Sequence, residues 1–151
     1  MPVSNESRLR FLTLISALEG RMKTLPLFRQ GEEGQRAEPD WARFGAVVGP
    51  HIQDAVDRQT VEMLTVEPPR VEVVRGRAAE FEPTSRPLRG GRRPETLGAR
   101  LVEATIRVRN NVIHGGKERP DQERYPGHDQ AVVDAGIVVL SLAQGWLARQ
   151  R

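Results

Sequence analysis

Ala135-Gly136-Ile137-Val138-Val139-Leu140-Ser141-Leu142-Ala143 is the stretch on which the fold turns. It is apolar on nearly every side. The β-branched Ile137, Val138 and Val139 would suit a buried strand, but the surrounding segment is long and no turn residue interrupts it. It therefore reads as the centre of a helix from about Asp129, a good N-cap, to Arg149. A helix apolar all round sits in the middle of a bundle, or lays a second face against a subunit.

Working outward, the other segments also follow the helical period. From about Ser4 to Phe28, residues Phe11, Ile15, Leu18, Met22 and Leu25 recur at three- and four-residue steps, with Leu12 and Leu14 widening the stripe. Ser4 suits the N-cap and Glu6 the first turn. Gly31 to Pro39 is a polar connection. Trp41 to Val48 predicts a short helix broken by Gly49-Pro50, and Pro50 would open the next one, running to about Leu64 through Ile52, Val56 and Met63. Val66-Glu67-Pro68-Pro69 ends it. Glu95 to His114 predicts a further helix, with Leu97, Leu101, Ala104, Thr105, Val108 and Val112 toward the core and Arg100, Arg107 and Arg109 off that stripe.

Between the last two of these lies an insertion, about residues 69–94. Val71 to Val74 is strand-like. The remainder is rich in Arg, Gly and Pro, and predicts a long loop with room for a short hairpin. Arg70 to Arg93 holds seven Arg against three Glu, whereas the whole chain carries only +3. The insertion reads equally as a solvated loop or as an RNA-contacting arm. Phe81 is its only aromatic residue, which argues against base-specific stacking.

The 151 residues suffice for one domain with a real core. No cysteine is present, so disulfides and thiolate zinc sites are excluded, and a cytoplasmic location is expected. Glu6, Arg8 and Arg10 precede any apolar run, unlike a signal peptide. The Ala135–Ala143 run is too short to span a bilayer, so no membrane association is expected. His51, His114 and His128 do not show metal-ligand spacing. Gly115-Gly116-Lys117 lacks the rest of a phosphate-binding P-loop, and no serine nucleophile motif appears.

The stretch with chemistry in it precedes the last helix: Arg107-Val108-Arg109-Asn110-Asn111-Val112-Ile113-His114-Gly115-Gly116-Lys117. Histidine titrates near ~6.5 and suits proton transfer. Arginine holds phosphate oxygens through its planar fork. Asn110 and Asn111 donate and accept hydrogen bonds. Five residues of ideal helix turn about 140° beyond a full circle, so Arg109 and His114 would not share a face. Gly115 reads as a left-handed C′ residue, which places His114 where the chain leaves the helix. The same residues could form a plain solvated helix end.

The string resembles the Arg-Asn-xxx-His signature of HEPN domains (higher eukaryotes and prokaryotes nucleotide-binding). It is close to a plasmid-borne prokaryotic subfamily in which similar strings read Arg-Asn-Asn-Leu-Phe-His-Gly-Gly-Lys. Ala17-Leu18-Glu19, Trp41 to Phe44 and Pro68-Pro69 look like other pieces of that subfamily. Trp41 and Phe44 read as core anchors, and Glu19 reads first as an exposed helix charge, with a supporting partner of the motif as the alternative. The resemblance implies an all-α, four- to five-helix up-down bundle with the insertion before the motif helix. It also implies a metal-independent endoribonuclease without cofactors, of toxin, defence or stress-response type, whose site is shared across a homodimer. His114 would act on the ribose 2′-OH, Arg109 would stabilise the scissile phosphate, and Asn110 would orient one of them. Asn111, Lys117 and Arg107 would bind RNA phosphates. A cognate antitoxin is an implied partner; the alternative is a non-catalytic nucleotide- or RNA-binding scaffold. Some HEPN toxins carry a Tyr two residues after the His, where a partner enzyme modifies it. Here that position is Gly116, and the only tyrosine is Tyr125.

Overall fold

The computed structural model describes residues 3–29, 31–66, 71–82, 94–113 and 128–150. Among the described residues, five helices carry the fold: α1 (Asn5–Thr24), α2 (Trp41–Ala55), α3 (Arg58–Thr65), α4 (Leu97–Ile113) and α5 (His128–Ala148). The architecture is an all-α bundle, to which β1 (Val71–Arg75) and β2 (Ala78–Glu82) add one antiparallel hairpin, Val71 opposite Glu82 and Arg75 opposite Ala78. Gly76 turns it with a φ of 63°, which suits glycine. The hairpin occupies the first half of the insertion; residues 83–93 lie outside the described set.

The apolar stretch at 135–143 is helical and central. α5 packs against α1, α2, α3 and α4, so its composition follows from neighbours on most sides. By length and composition alone, Gln130–Ala148 would also pass as a membrane span, yet half of it is buried inside the bundle. Val133, Val139, Leu140, Ala143 and Leu147 join Phe11, Leu18, Met22, Phe44, Val48, Ile52, Leu64, Leu101 and Ile106 in one core. Trp41 and Phe44 are core anchors, packed edge to face with ring centroids 5.6 Å apart.

α1 follows its predicted stripe: Phe11, Ile15, Leu18 and Met22 are buried. Its N-cap is Ser4, whose Oγ accepts from the Ser7 backbone N–H. Gln130 on α5 braces this end, accepting from the Ser4 N–H at 2.8 Å and donating to Ser7 Oγ at 2.8 Å. The helix stops at Thr24 instead of reaching Phe28, because Pro26 disfavours helical backbone at Leu25. Phe28 pairs instead with Pro39 in a bridge that closes the connection to α2.

The predicted break at Gly49-Pro50 is absent: α2 continues through both residues to Ala55. Pro50 and Ala46, one turn apart, lie on the exposed side, so the carbonyl that loses its donor faces water. Gly49 is buried against α4. A Cβ placed on it would approach the Ala99 backbone N to 3.1 Å, and one on Gly98 would collide with the Gly49 carbonyl. The glycines serve a backbone-to-backbone helix crossing, and not a turn. The following helix accordingly begins late, at Arg58, with Asp57 as its N-cap. α4 starts at Leu97, where Thr96 Oγ1 accepts from the Ala99 N–H at 3.1 Å. α5 starts at His128, one residue before the expected Asp129 cap, within the usual fraying of helix boundaries.

Candidate functional site

The α4 core stripe sets the directions of the motif side chains. Leu101, Ala104, Thr105 and Val108 are buried as predicted, together with Val102 and Ile106. Arg107 and Arg109 project from the flanks of this stripe. Two residues of helix turn about 200°, so they leave the axis on nearly opposite sides, and the structure does not bring them together.

Arg107 lies against its own helix. Its Nη2 donates to Glu103 Oε1 at 2.7 Å, an i,i+4 pair whose side chains are only 11% and 19% exposed. Arg109 reaches across the bundle. Its Nη1 donates to Glu19 Oε1 on α1 at 3.1 Å, and its Nε donates to Asn110 Oδ1 at 3.1 Å. Arg109 and Glu19 are 24% and 28% exposed, half-buried groups still within reach of solvent. Among the described residues, Arg109 Nη2 has no hydrogen-bond partner.

Asn110 is thus brought beside Arg109. Asn111 lies on the last turn of α4. His114 and Lys117 lie outside the described residues. Of the other two histidines, His51 lies elsewhere, contacting Arg149 Nη2 at 3.2 Å, and His128 is the first residue of α5. Among the described residues no group of three or more His, Cys, Asp or Glu is placed to hold a metal ion.

Glu19 takes the role that its sequence favoured less: it pairs with the motif arginine instead of standing as an exposed charge. The signal was faint. Glu19 lies one turn after Ile15 and beside Leu18, at the edge of the apolar stripe of α1. A carboxylate at such an edge is half-desolvated and needs a partner. A separate groove of about 490 Å³ lies between α1 and α5, lined by residues that include Glu6, Arg10, Ile137, Val138 and Leu142. It contains none of the motif residues.

The described arrangement can do one clear thing: it presents a fixed cation, with spare N–H donors, just before the position in the chain where a histidine follows. A phosphate oxygen or another anion would suit those donors. No protein-family model, curated protein or solved structure matches the chain.

Proposed function

We propose that this chain is a metal-independent endoribonuclease of HEPN type. The observation that carries the reading is the anchored Arg109 guanidinium, held by Asn110 and Glu19 with Nη2 uncommitted among the described residues, five positions before His114. An arginine so held suits stabilisation of charge building on a scissile phosphate. His114 takes the proton of the ribose 2′-OH, whose oxygen attacks the adjacent phosphorus. The bond to the 5′ oxygen of the next nucleotide breaks, and that oxygen takes a proton from water, leaving a 2′,3′-cyclic phosphate and a 5′-OH. Asn110 orients Arg109 through its side-chain oxygen. Asn111, Lys117 and Arg107 hold flanking phosphates.

The reading includes a homodimer across which two motifs face each other. Val138 and Leu142 stay half-buried in the groove beside α1, which leaves apolar area for a second copy to cover. Specific activity should fall on dilution as the dimer dissociates; a monomer with undiminished cleavage would overturn the shared site. An antitoxin partner and a cytoplasmic location belong to the same reading.

The test compares wild type, Arg109→Ala and His114→Ala on total cellular RNA with EDTA present. Cleavage by wild type alone, leaving cyclic-phosphate ends, is the expected result. Equal cleavage by all three would assign the activity to a contaminant or another site. No cleavage by any, with dimers intact, would favour a non-catalytic RNA- or nucleotide-binding module.

A further inference from the structure

The two arginines near the end of α4 are held by different means. Arg107 and Glu103 are spaced as any exposed helix would space a stabilising pair. Arg109 and Glu19 are 90 positions apart in sequence and meet only because the bundle is folded. α1 packs mainly on α5 and touches α4 sparsely, so apolar packing does not explain this cross-helix contact. At 24% and 28% exposure the pair is partly screened, which makes it a weak stability device.

What the pair does well is fix a direction. Two of the three guanidinium nitrogens are engaged, Nε by Asn110 and Nη1 by Glu19, from different sides. The plane of the group is thereby set, and Nη2 is the nitrogen left without a hydrogen-bond partner among the described residues. A solvated arginine loses rotamer freedom when it clamps a phosphate; one held this way has lost it on folding, before any ligand arrives.

We infer that Glu19 is a positioning residue of the candidate site, acting on the scissile phosphate only through Arg109. This rests on the reading of Arg109 as the phosphate-binding arginine. The opposite role, a carboxylate that competes with phosphate for Arg109, predicts the opposite sign: its removal would raise activity.

The experiment uses the full chain as wild type, Glu19→Ala, Glu19→Gln, Arg109→Ala and the double variant Glu19→Ala with Arg109→Ala. It reads kcat and KM on one single-stranded RNA in EDTA, and the NMR signal of the Arg109 Nη1–H. Positioning predicts that Glu19→Ala loses about 10- to 100-fold in kcat with little change in KM. Glu19→Gln keeps a side-chain oxygen as acceptor and should recover most of that loss. In the Arg109→Ala background, removing Glu19 should cost nothing more. The Arg109 Nη1–H, which Glu19 holds, should be protected from exchange in wild type and exposed in Glu19→Ala.

Unchanged or raised kcat in Glu19→Ala would overturn the inference. So would an equal further loss in the Arg109→Ala background, which marks a structural role. If wild type cleaves no RNA, the endoribonuclease reading falls, and the NMR signal judges Glu19 by itself. Lost protection in Glu19→Ala upholds positioning; an unchanged signal overturns it.

Discussion

The two ends of α4 are built on opposite plans. At its start, Gly98 presses against the backbone of Gly49 with no space for a side chain, and its N–H donates to Gln53 Oε1 at a long 3.4 Å. Near its other end, Arg107, Arg109 and Asn110 are half-buried and held by charge and hydrogen bonds. The first end has no freedom to adjust, while the second has groups that can exchange one partner for another. A helix locked by backbone contact can hold polar groups about 16 Å farther along in a fixed place without a dense core around them. The difference is a division of labour: close backbone packing at one end of a single helix, and polar groups held in place at the other.

Gly98→Val is the strongest way to break that comparison. The new Cβ would overlap the Gly49 carbonyl, and a backbone atom in mid-helix cannot swing aside as a side-chain tip can. The expected loss is about 3 kcal/mol or more, a fall in Tm of about 10 °C. Thermal unfolding measures it. A variant as stable as wild type would show that the crossing is looser than its geometry implies.

Arg109→Ala should behave in the reverse manner. Its partner Glu19 remains partly exposed, so the stability change should stay within about 1 kcal/mol. Cleavage should fall by about 10²- to 10³-fold, as when one donor to a developing oxyanion is removed. Urea unfolding and initial cleavage rates, taken on the same preparation, check both halves. Loss of stability as large as that of Gly98→Val would end the division of labour, because the motif end would then be structural.

The same contrast explains what could be read from the sequence. The stripes of α1 and α4 and the apolar centre of α5 were legible because periodicity reports burial directly: Phe11, Ile15, Leu101 and Val139 recur where a core requires them. Gly49-Pro50 misled because glycine marks a turn and a close helix approach with the same letter. Only the position of Gly98 on another helix tells the two apart. The motif was legible as a string of residue types. Its geometry was not, since the partner of Arg109 lies on α1 and no local spacing announces it. Arg107, which pairs with Glu103 one turn away on the same helix, is the converse case.

The smallest effect belongs to a position outside both ends, and it serves to separate charge from packing. Asp57 caps α3: its Oδ2 accepts from the Thr60 N–H at 3.1 Å and its Oδ1 from the Thr60 hydroxyl at 2.6 Å. The hydroxyl first, then the backbone N–H, hold its carboxyl below the ordinary value of 3.8, against a small opposing effect of desolvation. A lowered folded-state value means that this stabilisation is present above the ordinary carboxylate range and is lost as pH falls through the value in the folded protein. Asp57→Ala should therefore cost about 1 kcal/mol at neutral pH and progressively less in strong acid. Asp57→Asn keeps an oxygen for the Thr60 N–H and should abolish the pH dependence more than the stability. Urea midpoints for the three proteins, at neutral pH and well below pH 3.8, decide it. Gly98→Val introduces no titrating group, so its deficit should be the same at both pH values. A Gly98→Val deficit that moved with pH as Asp57→Ala does would mean that the crossing also carries charge, and the two ends of α4 would differ less than their contacts suggest.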